Sequence, residues 1–139
     1  MNYAYVLTPL VTWLAAGSLK FVINSIKAKR WAFGQIGYGG CPSNHSALVS
    51  SMAALIAFKE GVGHPAFGVA LTVAVIVMFD AYTLRRQVGR HAVAINKLAA
   101  QDSQHQALRE RMGHTRLEIA AGMVLGIAVA AGVNALVGA

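Results

Sequence analysis

Charged residues are scarce in this chain, and cysteine is nearly absent. Only 12% of the 139 residues are charged, against about 25% in typical soluble domains. Hydrophobic residues make up 56%, more than the interior of so short a chain can bury, which excludes an ordinary water-soluble domain. The single cysteine, Cys41, excludes an intramolecular disulfide and favours a packing role over that of a catalytic thiol. No basic residue precedes the first apolar run and no cleavage-like site follows it, so we expect a retained helix rather than a signal peptide.

The net charge of +7 invites a nucleic-acid interpretation, which the distribution of the charge argues against. No basic stripe is interleaved with aromatic residues, as binding to nucleic acid would need. The basic residues lie between apolar segments, where they set membrane topology and meet anionic head groups. We therefore expect the lipid bilayer as a partner, and no nucleic acid.

Four apolar segments predict an all-α integral membrane bundle of four transmembrane helices, forming one domain over residues 1–139. The second segment is short for a full span, so we expect it to start at or below the interface. The predicted segments are Tyr3–Ile26, Ser43–Phe58, Ala66–Tyr82 and Thr115–Leu136. Residues 87–112 are polar with spaced apolar positions. They predict an amphipathic, helical, cytoplasmic connection between the third and fourth segments, with a break near Asp102–Ser103.

Loop charges predict the orientation. The basic residues cluster after the first and third segments: Lys27, Lys29, Arg30, Arg85, Arg86, Arg90, Lys97, Arg109 and Arg111. The turn between segments two and three has one basic residue at its edge, and the termini have none. The positive-inside rule places both basic loops in the cytoplasm and both termini outside. We expect a location in a plasma membrane, such as the inner membrane of a bacterium.

Ionisable residues gather near the predicted cytoplasmic ends of the helices: Lys20, His45, Asp80, Arg85, Arg86, Arg109, His114 and Glu118. Charged groups inside a membrane cost roughly 2.5–3.5 kcal/mol each. Snorkelling of the long side chain to the interface is one explanation for Lys20. The side chain of Glu118 is too short to reach the interface, so we expect another group of the protein to pair with its carboxylate.

Two short motifs have residue types that can carry chemistry, namely a nucleophile or base in one and an anion-attracting helix start in the other. His114 and Glu118 are four apart, so a helix starting near Gly113 puts them on one face, where the carboxylate would fix the imidazole tautomer. The alternative is a surface histidine beside a routine helix pair. The run Pro42-Ser43-Asn44-His45-Ser46 opens the second segment after several glycines. A helix start attracts anions, and the alternative is an ordinary capping cluster.

Together these residues resemble the type-2 phosphatidic acid phosphatase superfamily, whose members carry P-S-x-H, then an arginine and H-x-x-x-D. The similarity is greater to the divergent branch described as acid phosphatase/vanadium-dependent haloperoxidase-related. It covers nearly the whole chain and rests on residues 39–47, Phe79-Asp80-Ala81, Arg85-Arg86, Asn96, Leu108-Arg109-Glu110, Gly113-His114-Thr115 and Glu118. Cys41 and Asn44 depart from the Met and Ser usual there, and an insertion of roughly 25 residues precedes His114.

The resemblance implies a role for each matching residue. His114 matches the nucleophile that becomes phosphohistidine, Glu118 the acid that orients it, and His45 the general acid for the leaving oxygen. Ser43 matches part of the phosphate cradle, together with nearby backbone amides. The cationic phosphate ligands implied are Lys20, Arg30 and one of Arg109, Arg85 and Arg86. Asp80 and Asn44 are further candidates for the site.

The resemblance implies a phosphatase that acts on a lipid phosphate without cofactor or metal, because cationic side chains neutralise the phosphate charge. A rival hypothesis has Asp80, Glu118 and a histidine bind a divalent ion. A second is a non-catalytic membrane protein that binds lipid phosphates or assists assembly. A transporter is disfavoured because the charges gather at one end of the helices. The sequence leaves the oligomeric state open, a homo-oligomer included, since small residues such as Gly122 and Gly126 would permit close packing between copies of the chain.

Overall fold

The computed structural model describes residues 3–31, 33, 40–102 and 104–137. Within these ranges the chain forms five α-helices and no β-strand. The helices are α1 (Ala4–Ala28), α2 (Asn44–Glu60), α3 (Pro65–Tyr82), α4 (Leu84–Leu98) and α5 (Arg116–Val137). All four predicted apolar segments are helical, with ends within two residues of the predicted ones.

Local chemistry explains where the helices begin. The side chain of Ser43 caps α2 by accepting the N–H of Ser46. His64 caps α3 in the same way, through the N–H of Ala66, and Pro65 occupies the first helical position, where its missing N–H costs nothing.

Three stretches are long and apolar enough to cross a membrane: Ala4–Ala28, Pro65–Leu98 and Arg116–Val137. The second stretch includes both α3 and α4. Large apolar side chains such as Leu14, Ile76 and Val124 are exposed on these helices, so the outside of the bundle suits lipid. The fourth predicted span, α2, is not among the three. Its 17 residues extend about 25 Å, less than a hydrocarbon core of about 30 Å.

Helix α2 is the centre of the bundle, because it contacts α1, α3 and α5 and packs most extensively against α5. Its buried residues are mostly small, and two glycines of α5 face them. A Cβ on Gly122 would lie 2.5 Å from the carbonyl oxygen of Ser43, and one on Gly126 would lie 2.2 Å from that of Ala47. The glycine spacing therefore serves a contact within the chain.

The two ends of the bundle differ in character. At one end the Tyr5 hydroxyl donates to Glu60 across 2.5 Å, joining the start of α1 to the end of α2. The apolar cluster of Ala4, Leu55, Ala130 and Val133 lies at this end too. The start of α2, the end of α3 and the start of α5 meet at the opposite end, where the candidate site lies.

The predicted connection, residues 87–112, is helical only as far as Leu98, where α4 ends, so the prediction that it is helical again after the break, up to residue 112, is wrong. Residues 104–112 instead run back along α4. Asn96 explains the difference, because its amide donates to the Leu108 carbonyl at 2.9 Å and its oxygen accepts the Leu108 N–H at 2.8 Å. These bonds take the place of helical ones. Asp102 lies in the turn where a break was predicted, and Ser103 lies outside the described residues.

Candidate functional site

Two imidazole rings from different parts of the chain lie side by side at the polar end. His45 is in the first turn of α2, and His114 lies two residues before α5. Their ring centroids are 6.5 Å apart, with ring planes inclined by 56°. His45 is exposed, whereas His114 is only 7% exposed. One small group can therefore contact both rings.

Glu118 holds His114 and also begins α5. Its Oε2 lies 3.2 Å from His114 Nδ1 and accepts the Thr115 N–H at 2.9 Å. The Thr115 hydroxyl in turn accepts the Glu118 N–H at 3.2 Å. This reciprocal pair is a capping box. Because an ionised carboxylate can only accept, Nδ1 of His114 carries the proton, and Nε2 keeps a free lone pair.

The backbone around His114 is fixed from two sides. The His114 N–H donates to the Ala81 carbonyl at the end of α3 at 3.0 Å, and the Ser43 N–H donates to the Glu118 carbonyl at 2.9 Å. Gly113 has a φ of +83°, and a Cβ there would lie 2.5 Å from Cγ of Arg86. Only glycine suits this turn. Main-chain contacts thus set the position of the ring.

Positive charge surrounds the two rings. Lys20, on α1, interacts electrostatically with both imidazoles and with Glu118. Arg85 also interacts with both imidazoles, and its Nε bonds Oδ2 of Asp80 at 2.7 Å. Asp80 therefore holds the arginine in place. An anion between the imidazoles would be attracted by both cations.

Burial lowers the pKa of His114 below its ordinary value of 6.5, because the imidazolium loses hydration. The hydrogen bond and charge of Glu118 oppose this shift and raise the pKa, while the charges of Lys20 and Arg85 lower it. The ring therefore stays neutral to a lower pH than a free histidine does. A neutral ring is the form that can act as a nucleophile.

Ser43 and Asn44 lie at the start of α2 beside His45. The Ser43 hydroxyl is completely buried, and it accepts from the N–H of Ser46 at 3.3 Å and from its hydroxyl at 3.0 Å. It acts as the N-cap of α2. Oδ1 of Asn44 is buried and has no hydrogen-bond partner, so it is an acceptor that a donor group could satisfy.

The structure separates the four arginines proposed as phosphate ligands. The charge of Arg85 acts on both histidines. Arg86 lies over the ring of Tyr82, with its guanidinium carbon 5.3 Å from the ring centroid. Arg109 is exposed on the returning segment, where its Nε donates to the Arg111 carbonyl. Arg30 is exposed just beyond α1, and its N–H donates to the Ser25 carbonyl.

Sequence reasoning gave no site role to four residues that build this end of the molecule: Gly113, Thr115, Arg116 and Tyr82. The Thr115-x-x-Glu118 pattern is itself a signal for a capping box, and it fixes the start of α5. Contact between Arg116 and Tyr82 has no signal in the sequence, because it joins the ends of two helices that are distant along the chain.

No group of three or more His, Cys, Asp or Glu side chains placed to hold a metal ion occurs among residues 3–31, 33, 40–102 and 104–137. The carboxylates of the rival metal site have other contacts: Asp80 pairs with Arg85, and Glu118 with His114.

Comparison with known proteins completes the description. No solved structure matches the chain. The "Uncharacterized membrane protein YuiD" of Bacillus subtilis (strain 168) is 35% identical over 105 residues, which cover 64% of this chain and 66% of that protein. The chain thus spans just under two thirds of that relative's length. The model of the Divergent PAP2 family matches residues 1–129, in keeping with the resemblance of the motifs. This chain is a membrane protein that belongs to the Divergent PAP2 family.

Proposed function

We propose that the protein is a membrane phosphatase that hydrolyses the phosphomonoester or diphosphate of a lipid through a phosphohistidine intermediate. One observation carries the proposal: the rings of His45 and His114 lie 6.5 Å apart, and Glu118 holds Nδ1 of the second ring. A nucleophile must stand about 3–3.5 Å from the atom it attacks, and an acid must reach the leaving oxygen by a hydrogen bond. The ring separation leaves room for one phosphoryl group between them.

In the first step the Nε2 lone pair of His114 attacks phosphorus, and the bond from phosphorus to the lipid oxygen breaks. His45 donates a proton to that oxygen, so the lipid leaves as an alcohol, or as a monophosphate when the substrate is a diphosphate. Glu118 stabilises the positive charge of the phosphorylated ring through Nδ1–H. In the second step neutral His45 accepts a proton from water, whose oxygen attacks phosphorus. The phosphorus–nitrogen bond then breaks and releases inorganic phosphate.

Lys20 and Arg85 provide the charge that a phosphate dianion needs. Both interact electrostatically with the two rings, and cations aimed at developing negative charge stabilise the transition state. We assign Arg85 as the main phosphate ligand among the candidate arginines. The unpaired oxygen of Asn44 would accept a hydrogen bond from a protonated phosphate oxygen or a lipid hydroxyl.

The membrane arrangement is part of the proposal. Helix α2 would lie within the bilayer as a fourth, short membrane helix, surrounded by α1, α3 and α5. The basic loops would face the cytoplasm and the termini the outside, with the site at the inner leaflet. Phosphatidylglycerophosphate, phosphatidate and polyprenyl phosphates or diphosphates are the candidate substrates, because each presents its phosphate at the membrane surface.

The test is phosphate release by the purified full-length protein across a panel of these lipids. We expect turnover of at least one lipid, abolition by His114→Ala, and a fall of about 10²–10⁴-fold in His45→Ala. His91→Ala is the matched control, because His91 is exposed on α4. Full activity of a folded His114→Ala protein would overturn the nucleophile assignment. Lipid-phosphate binding without turnover would favour the non-catalytic alternative.

A further inference from the structure

Two arginines and a tyrosine form a second cationic cluster at the polar end. The guanidinium carbons of Arg86 and Arg116 each lie 5.3 Å from the ring centroid of Tyr82. Tyr82 ends α3, Arg86 lies in the first turn of α4, and Arg116 begins α5. Three helix ends therefore bring two positive charges to one aromatic ring, which orients both guanidinium groups.

Among the residues that the structure describes, no Asp or Glu side chain forms an ion pair with this cluster. The chain has five acidic residues, and the structure describes all five. Each accepts a hydrogen bond elsewhere: Glu60 from Tyr5, Asp80 from Arg85, Asp102 from the N–H of Gln104, Glu110 from Asn96, and Glu118 from Thr115. Two guanidinium groups held around one ring repel each other, and an anion between or beside them would offset that repulsion. The acidic side chains of the described residues do not supply that anion.

The surroundings of the cluster indicate what kind of anion it fits. Leu84 lies two residues after Tyr82 and is 60% exposed, and Leu117 follows Arg116 and is 82% exposed. Phe79, one turn before Tyr82, is 67% exposed. A free phosphate ion would leave these apolar side chains without a partner. A phospholipid offers an anionic phosphodiester to the arginines and acyl chains to the apolar residues.

We propose that Tyr82, Arg86 and Arg116 form a second anion site, which binds the phosphodiester of an anionic phospholipid. The site is separate from the histidine pair, where Lys20 and Arg85 supply the charge. Arg86 thereby leaves the set of ligands proposed for the substrate phosphoryl group. It also lies against Gly113, the residue before His114, so a bound lipid would abut the turn that carries the nucleophile. The site does not depend on catalysis.

The test is direct binding of phosphatidylglycerol, compared with phosphatidylcholine, by native mass spectrometry of the full-length protein in neutral detergent. Every protein carries His114→Ala, so that failure of the proposed phosphatase function has no effect on the result. We expect Arg86→Gln/Arg116→Gln to weaken phosphatidylglycerol binding at least tenfold and to leave phosphatidylcholine binding unchanged. The control Arg90→Gln/Lys97→Gln removes the same charge from exposed positions of α4 and should weaken binding less than twofold.

Two further experiments distinguish binding at this site from non-specific electrostatic attraction of the lipid. Tyr82→Leu keeps all the charges but removes the ring that orients them, and we expect at least threefold weaker phosphatidylglycerol binding. Inorganic phosphate at millimolar concentration should not displace the lipid. Equal losses in the two double variants, or unchanged binding in Arg86→Gln/Arg116→Gln, would overturn the site. Displacement by inorganic phosphate would overturn its assignment to a lipid. Helical content by circular dichroism confirms that each variant is folded.

Discussion

Replacing Gly126 with alanine tests whether close contact between α5 and α2 builds the site. The new Cβ would lie 2.2 Å from the Ala47 carbonyl oxygen and 3.0 Å from the Ser51 nitrogen. Ordinary contact begins near 3.4 Å. Both neighbours are backbone atoms of a central helix and cannot rotate away, so α5 must move from α2 by the difference, about 1.2 Å.

That displacement has consequences for stability and for the site. Overpacking costs about 1–3 kcal/mol, while the change from glycine to alanine in a helix returns about 1 kcal/mol. We therefore expect a net destabilisation of up to about 2 kcal/mol. Because α5 begins with the capping box that holds His114, movement of the whole helix would separate the two imidazoles. A misplacement of about 1 Å can cost about 10²-fold in rate. We therefore expect activity to fall about 10²-fold in a protein that is still folded.

Gly132→Ala is the matched control, because the same helix carries it and nothing lies within 4 Å of its Cβ. It should leave activity unchanged and leave the melting temperature in detergent unchanged or raised. The assays are thermal unfolding and phosphate release on the lipid that the wild-type protein turns over best. If Gly126→Ala matched Gly132→Ala in both assays, the close helix contact would have no role in placing His114.

Three further predictions follow from the site and the returning segment. Glu118→Gln removes the hydrogen bond and charge that raise the pKa of His114. Neutral His114 should then persist to lower pH, so the acidic limb of the kcat/KM profile should move to lower pH while its maximum falls. An acidic limb at unchanged pH would show that this limb does not report the titration of His114. Activity should survive EDTA, whereas strict dependence on added Mg²⁺ would favour the metal hypothesis. Asn96→Ala removes side-chain bonds to Leu108 and Glu110, each worth about 1 kcal/mol; trypsin should cut after Arg109 or Arg111 at least tenfold faster than in a Gln101→Ala control, and equal rates would contradict the role of Asn96.

The positions of the helices could be predicted from sequence because their causes are local. Runs of apolar residues define the segments, and Ser43 and Pro65 mark two of the starts. The path of residues 104–112 could not be predicted in the same way. It depends on bonds from Asn96 to a residue 12 positions away, and the spaced apolar residues alone fit an amphipathic helix.

The candidate site shows the same division. The spacing of His114 and Glu118 predicts a shared helical face if the helix starts near Gly113. In the structure α5 begins at Arg116, so His114 lies before the helix and meets Glu118 at the capping box instead. Motif similarity links the two residues with His45. The choice between Arg85 and Arg109 needs the ends of α3 and α5 in place, because it depends on which guanidinium group lies near the rings. The Gly122–Gly126 spacing predicts close packing, but a sequence cannot say whether the partner is another copy or, as found, α2.

The position of His114 depends on contacts that most substitutions of exposed side chains would leave intact. Its own N–H bonds Ala81, the carbonyl of Glu118 accepts from Ser43, and Gly113 allows the turn between α4 and α5 to pass against Arg86. Each contact joins a different helix to the start of α5. A shift of α2, α3 or α5 would therefore move His114 relative to His45, whereas substitutions on the lipid-facing surfaces would not. Loss of activity in helix-packing variants is consequently expected even where every proposed catalytic side chain is retained.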